Sequence, residues 1–222
     1  MSTKAIARRT PPPTRSYLPA AERKSHLLDV GVKIVRSRGW ESLSIADLAR
    51  RAGVSRQLVH QYFGDLETLA VALAERFQDE VYESAVAAIA HHPDDFAAAM
   101  RETLEKFLVG LRDDRLAFAD LLTGHANQAG LQAPLKQVRV LKRHRMVEIW
   151  ARYYERVNGL SRRDAEGLAS FQYDGLRGLI SQVDAGQLSP GEAITLFVEI
   201  LTAAIERLGG WVQPTSAARS KR

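Results

Sequence analysis

The 222-residue sequence contains no cysteine. That excludes a disulfide framework, a thiolate zinc site and a thiol redox switch. No apolar run approaches the roughly 20 residues that would span a bilayer, so no membrane partner is expected. No segment shows convincing strand alternation, and no internal repeat is visible. A Walker-type glycine loop, an HExxH pair and a nucleophile elbow are all missing, so nothing positive points to an enzyme. The six histidines (26, 60, 91, 92, 125, 144) show no ligand spacing with nearby carboxylates beyond the weak exception of His91-His92, which reads more simply as a helix end. Neither a metal nor a cofactor is expected. Residues 1–17 are basic but lack the apolar stretch of a secretory signal, which makes a cytoplasmic protein the economical expectation.

What is present is an ordinary globular mix of 45% apolar and 26% charged residues, long enough for a sizeable core. The charge is unevenly placed. Residues 1–63 hold 12 Lys/Arg against 4 Asp/Glu, a net of +8, whereas residues 64–222 hold 19 against 22, a net of −3. A basic first third joined to a mildly acidic remainder suits contact with a polyanion, nucleic acid or anionic membrane. Solubilising surface charge is the plainer alternative.

The helix signals give an all-α chain of about nine helices. The first runs from about Ala21 to Arg38, with a stripe of Leu27, Val30 and Ile34, and stops at Gly39. Ser44 caps a short second helix, with Asp47 three residues on in a capping-box-like arrangement. Gly53 turns the chain and Ser55 caps a third short helix through Tyr62. Gly64-Asp65 breaks and recaps, and a longer helix follows to about Ala90. Asp94 or Asp95 starts the next, with Phe96, Met100, Leu104, Phe107, Leu108 and Leu111 on its apolar face. Residues 115–127 read as another helix. A long helix has Pro134 in its first turn and ends at Asn158-Gly159. Ser161, with Asp164, opens a helix to about Ala185. The last begins at Ser189, Pro190 and Glu192 and ends at Gly209-Gly210.

Residues 45–62, IADLARRAGVSRQLVHQY, fit a helix-turn-helix. Two helices crossing closely need a small residue at the crossing, and Ala49 is there. The turn needs a left-handed backbone, and Gly53 sits four residues later. Val54 and Val59 anchor the second helix against Ile45 and Leu48. Arg50, Arg51 and Arg56 stand where phosphates would lie. A plain helical hairpin would use the same Ala and Gly, but the basic flanks and the polar series on the second helix favour DNA.

With those residues in place, the run from Gly39-Trp40 through SLSIADLARRAGVSRQLVHQYFGDLETL resembles the TetR family of bacterial transcriptional regulators. The strong match covers residues 22–69, about a fifth of the chain. The resemblance implies a three-helix, helix-turn-helix DNA-binding domain and a helical effector-binding and dimerisation domain. It implies a homodimer on palindromic, double-stranded operator DNA, usually released by a small-molecule effector. The expected divisions are a disordered basic arm at 1–20, the DNA-binding domain at 21–68, the effector and dimerisation domain at 69–209 and a flexible tail at 210–222. The run departs from the family at His60, where a phosphate-contacting tyrosine is usual, and at Leu66, where a phosphate-contacting lysine is usual.

Roles follow from placement. The early residues of the second helix of the motif should enter the major groove. Arg56 suits guanine or a phosphate, and Gln57 suits adenine, with His60 and Gln61 on the same or adjacent faces. Ser44 and Ser55, at helix N-termini, suit phosphate contacts, as does Tyr62. Arg8, Arg9 and Arg15 either track the minor groove or belong to a solvated tail.

The last two helices, 161–185 and 189–208, are the expected dimer interface. Ala193, Phe197, Ile200, Leu201, Ala204 and Leu208 form one stripe of the final helix, and Ile194, Val198 and Ile205 form a second. A helix apolar on two sides is buried on two sides. Gly175 and Gly178 would admit a close neighbour. Candidate pocket residues are Phe107, Phe118, Leu122 and His125, then Met146, Trp150, Tyr153 and Tyr154, then Phe171 and Tyr173. Lys136, Arg139 and Arg143 form a basic stripe, either for an anionic effector or as a solvated face. A TetR-like DNA-bound interaction protein without an effector is the alternative reading. An occupied, enclosed cavity in the second domain favours the regulator, and a filled core favours the interaction protein.

Overall fold

The computed structural model describes residues 19–113 and 132–211. Eight α-helices occur among them: α1 (Ala20–Arg38), α2 (Ile45–Ala52), α3 (Arg56–Phe63), α4 (Leu66–His91), α5 (Phe96–Glu105), α6 (Gln132–Asn158), α7 (Arg162–Asp184) and α8 (Pro190–Arg207). A single 3₁₀ turn, Trp40–Ser42, links α1 to α2, and a π-helical segment, Lys106–Gly110, prolongs α5. The helix expected over 115–127 lies outside the described residues. The other expected helices all occur, with ends within a residue or two.

The sequence caps act as caps. The hydroxyls of Ser44, Ser55, Ser161 and Ser189 accept from the backbone N–H three residues on, and the carboxylates of Asp65 and Asp95 do the same. Each satisfies a first-turn donor that has no partner inside the helix. Ser189 and Glu192 form a reciprocal capping box. The arrangement at Ser44 differs: the Asp47 side chain turns away from the cap to bind Arg50 and Arg51. Two guanidiniums within reach outcompete a single backbone N–H for one carboxylate.

Helices α1–α3 pack on the first turns of α4. Their core comprises Leu27, Ile34, Leu48, Ala49, Val59 and Phe63, with Leu69, Leu73 and Phe77 of α4. Helix α4 thus crosses the boundary expected at 68/69 and belongs to both cores. Gly31 permits its approach to α1, because a Cβ there would lie 3.0 Å from a methyl of Leu73. At about 1.5 Å per residue, this 26-residue helix extends well beyond the head into the body.

The body is built from the end of α4 and from α5 to α8. Its centre is aromatic: Phe96, Trp150, Tyr153 and Tyr154 are almost fully buried. Their ring centroids lie 5.5 Å apart for Phe96–Tyr154 and 5.6 Å for Trp150–Tyr153. Residues Gly210 and Trp211, placed in a flexible tail by the sequence reading, are tied back. Trp211 N–H donates to the Asn158 carbonyl at 2.9 Å, and the Asn158 side-chain amide donates to the Trp211 carbonyl at 2.7 Å. Residues 212–222 lie outside the described residues, as do Arg8, Arg9 and Arg15.

Candidate functional site

The head carries the expected polar series. Gly53 adopts φ 67° and ψ 30°, and its N–H closes α2 onto the carbonyls of Ala49 and Arg50. Ala49 is 2% exposed at the crossing of α2 and α3. Val59 and Phe63 face inward, so their helix must turn its other side out. Arg56, Gln57, His60 and Gln61 are all exposed on that side. Leu58 and Tyr62 are half-buried.

The basic residues are not equivalent. Arg51 Nε donates to Asp47 at 2.8 Å, Arg50 binds the other oxygen of the same carboxylate, and Arg38 stands 3.9 Å away. Arg56 has no ion pair among the described residues. Ser44, Asp47, Arg50 and Arg56 line one shallow depression beside the α3 N-terminus. Of these side chains, Arg56 is therefore the cation not already neutralised by Asp47. His60 is oriented from behind. Its Nδ1 lies 2.6 Å from the Gly64 carbonyl. A carbonyl only accepts, so Nδ1 carries the proton and Nε2 is the nitrogen left for a partner.

The body holds a cavity of about 370 Å³ between α4, α5, α6, α7 and α8. That is within the usual range of small-ligand pockets. Of the expected pocket residues, Phe107, Met146, Trp150 and Tyr173 line it. Tyr153 and Tyr154 do not. They are buried in the aromatic centre, where Tyr153 donates to the His92 carbonyl at 2.8 Å and Tyr154 to Gln172 at 2.5 Å. Phe171 is not a cavity residue either, being 57% exposed on the outer side of α7. One residue on, the helix has turned about 100°, which puts Gln172 inside. Phe118, Leu122 and His125 lie outside the described residues. The sequence reading missed Met100 and Gln172 as lining residues. Gln172 had a legible signal, a polar residue on the inward stripe of Leu168, Ala169 and Leu179.

The basic stripe on α6 is partly neutralised. Arg143 makes a two-point contact with Asp174 at 2.5 and 3.2 Å and lies 5.8 Å from the centre of the Tyr173 ring. The hydrogen bonds to Arg143 hold the Asp174 carboxyl below the usual carboxylate range.

The expected interface stripe divides in two. Phe197 and Leu201 are 5% and 0% exposed, packed within their own chain. Phe197 lines the cavity. A side chain sealed inside its own subunit has no surface to offer a second copy. Ile200 and Leu208 stay 45% and 44% exposed, joined by Leu196 at 45%. Ala204 is half-buried, and Gly175 is exposed on α7.

Residues 27–73 match the sequence model described as "Bacterial regulatory proteins, tetR family". The curated regulator AlkX of Mycobacterium tuberculosis is 29% identical over 109 residues, covering 49% of this chain and 51% of that protein. The regulator BetI of Rhizobium meliloti is 31% identical over 96 residues, covering 43% of this chain and 45% of that protein. The chain thus spans about half the length of these curated relatives. A solved tetR-family transcriptional regulator from Streptomyces coelicolor shares the fold with a TM-score of 0.64 at 18% identity, over 86% of this chain and 84% of that one.

Proposed function

We propose that the chain, whose residues 27–73 match the tetR family of bacterial regulatory proteins, represses transcription by binding palindromic operator DNA as a homodimer until a small molecule fills its cavity. The observation that carries this reading is the outward face of α3. Arg56, Gln57, His60 and Gln61 stand exposed together there, on a helix rigidly seated by Val59 and Phe63. A helix of that kind presents base-reading side chains to a major groove. Arg56, Ser44 and the capped N-termini of α2 and α3 add phosphate contacts. The dimer is assigned to the apolar residues that α7 and α8 leave outside, Phe171, Leu196, Ile200 and Leu208, with Gly175 for close approach. The cavity favours an effector-responsive regulator over a DNA-bound interaction protein.

No helix among the described residues is long and apolar enough to cross a membrane, and the proposed site of action is the cytoplasm, with the operator. Genomic footprinting of the full chain tests the assignment. It should recover two-fold symmetric sites occupied by one protein dimer, vacated when the effector is added. Binding spread evenly along DNA would leave a non-specific nucleoid protein instead.

A further inference from the structure

The cavity wall contains a buried amide with one end satisfied and the other nearly idle. Gln172 is 7% exposed on α7. Behind the wall, Tyr154 is fully buried, and that burial pushes its phenol pKa well above the ordinary value. The phenol therefore keeps its proton and donates it to Gln172 Oε1 at 2.5 Å. This fixes the amide orientation, because the reverse would set a carbonyl oxygen against the Met100 thioether, two acceptors face to face. The amide nitrogen is left with the Met100 sulfur at 3.9 Å as its partner. A thioether is a weak acceptor, and an amide nitrogen has two N–H groups. Met100 and Gln172 both line the cavity, whereas Tyr154 does not, so the under-used donor belongs to the cavity side.

The rest of the wall narrows the ligand. Its buried residues, among them Leu104, Trp150 and Phe197, are apolar. Its charged residues, Arg177 and Asp184, are opposite in sign and exposed. A net charge carried inside would lose its hydration with no buried counter-charge to replace it. We infer that the cavity takes an uncharged, mostly apolar small molecule carrying a hydrogen-bond acceptor such as a ketone or ester carbonyl, which the Gln172 amide nitrogen reads. This rests on the cavity being the effector site. It adds the chemistry that the effector must have.

Calorimetric titration of the full chain with matched pairs tests it. Suitable pairs are acetophenone with ethylbenzene, and cyclohexyl methyl ketone with ethylcyclohexane, with benzoate as the charged probe. In at least one pair the ketone should bind about tenfold more tightly than its hydrocarbon, the worth of one buried hydrogen bond. Benzoate should bind more weakly than acetophenone. The double variant Tyr154→Phe with Gln172→Leu removes donor and acceptor together, which is close to neutral for folding. It should keep the melting temperature and the hydrocarbon affinity while erasing the ketone preference. Equal affinities within every pair, no binding at all, benzoate binding as tightly as the ketone, or a preference that survives in the double variant would each overturn the inference. Operator release is measured separately. A ketone that binds through Gln172 without releasing DNA would count against the effector reading and leave the acceptor chemistry standing.

Discussion

Leu108 and Leu111 are a single turn apart and are sealed in different cores. Leu108 is fully buried in the body with the aromatic centre, and Leu111, 4% exposed, is buried in the head with Leu48, Val59 and Phe77. The π-helical segment makes this possible: Leu111 N–H reaches back to the Lys106 carbonyl at 2.8 Å, a wider turn than an α-helix makes. Phe107 lines the cavity and packs against both cores. The cavity wall and the helix-turn-helix head are thereby joined by one short segment. Replacing Phe107 with Ala should leave operator affinity in the absence of effector within a few-fold of the parent. It should reduce the loss of affinity that effector causes, by about 1–3 kcal/mol if this contact carries the coupling. Operator titrations with and without effector provide the measurement. Unchanged release would place the coupling elsewhere, for example where Arg145 of α6 binds Asp79 at 3.0 Å and covers the Tyr82 ring at 4.0 Å.

Gln57 and Ser44 should fail differently. Gln57→Ala is expected to cost about 1–3 kcal/mol on the preferred operator and to relax preference at one position of the half-site. Ser44→Ala should weaken all operator variants about equally, since a phosphate carries no base identity. It should also lower stability by about 1 kcal/mol, because the hydroxyl caps α2. Competition across operator variants, with a thermal melt of each protein, separates the two. Uniform loss for every α3 substitution would mean that another helix enters the groove.

Neighbouring residues on α8 should divide dimerisation from folding. Ile200→Glu places a charge on an exposed apolar face and should give a folded monomer by sedimentation. Leu201→Ala empties a fully buried site and should cost about 2–5 kcal/mol of stability. A dimer that persists in Ile200→Glu would remove this face from the interface.

Acid should weaken the α8 cap. Glu192 accepts from the Ser189 hydroxyl and backbone N–H, which holds its carboxyl below the usual value. A carboxyl with a depressed folded-state pKa contributes stability that is complete above its unfolded pKa. That contribution disappears as pH falls through the lower, folded one. The melting temperature of Glu192→Gln should therefore depend less on pH than that of the parent below the ordinary carboxylate range. Parallel curves would show that the cap carries no such linkage.

The sequence by itself determined the helices, their caps and the helix-turn-helix motif. Those signals are local: Ser44, Ser55 and Ser189 act on donors three residues away, and Gly53 answers to its own backbone angles. Val59 and Phe63, one turn apart, already fix which side of α3 faces outward. Only the tertiary structure decided the rotation of α8 and what α7 meets. Helix α8 is apolar around much of its circumference, so periodicity alone did not choose between Leu201 and Ile200 for the inward side, whereas on α7 the stripe of Leu168, Ala169 and Leu179 already pointed Gln172 inward without naming its partners. That choice and those partners depend on side chains brought from α5 and α6, far away in sequence. They sealed Leu201 and set Gln172 against Met100 and Tyr154. The cavity has the same origin, as a volume the packed helices leave unfilled.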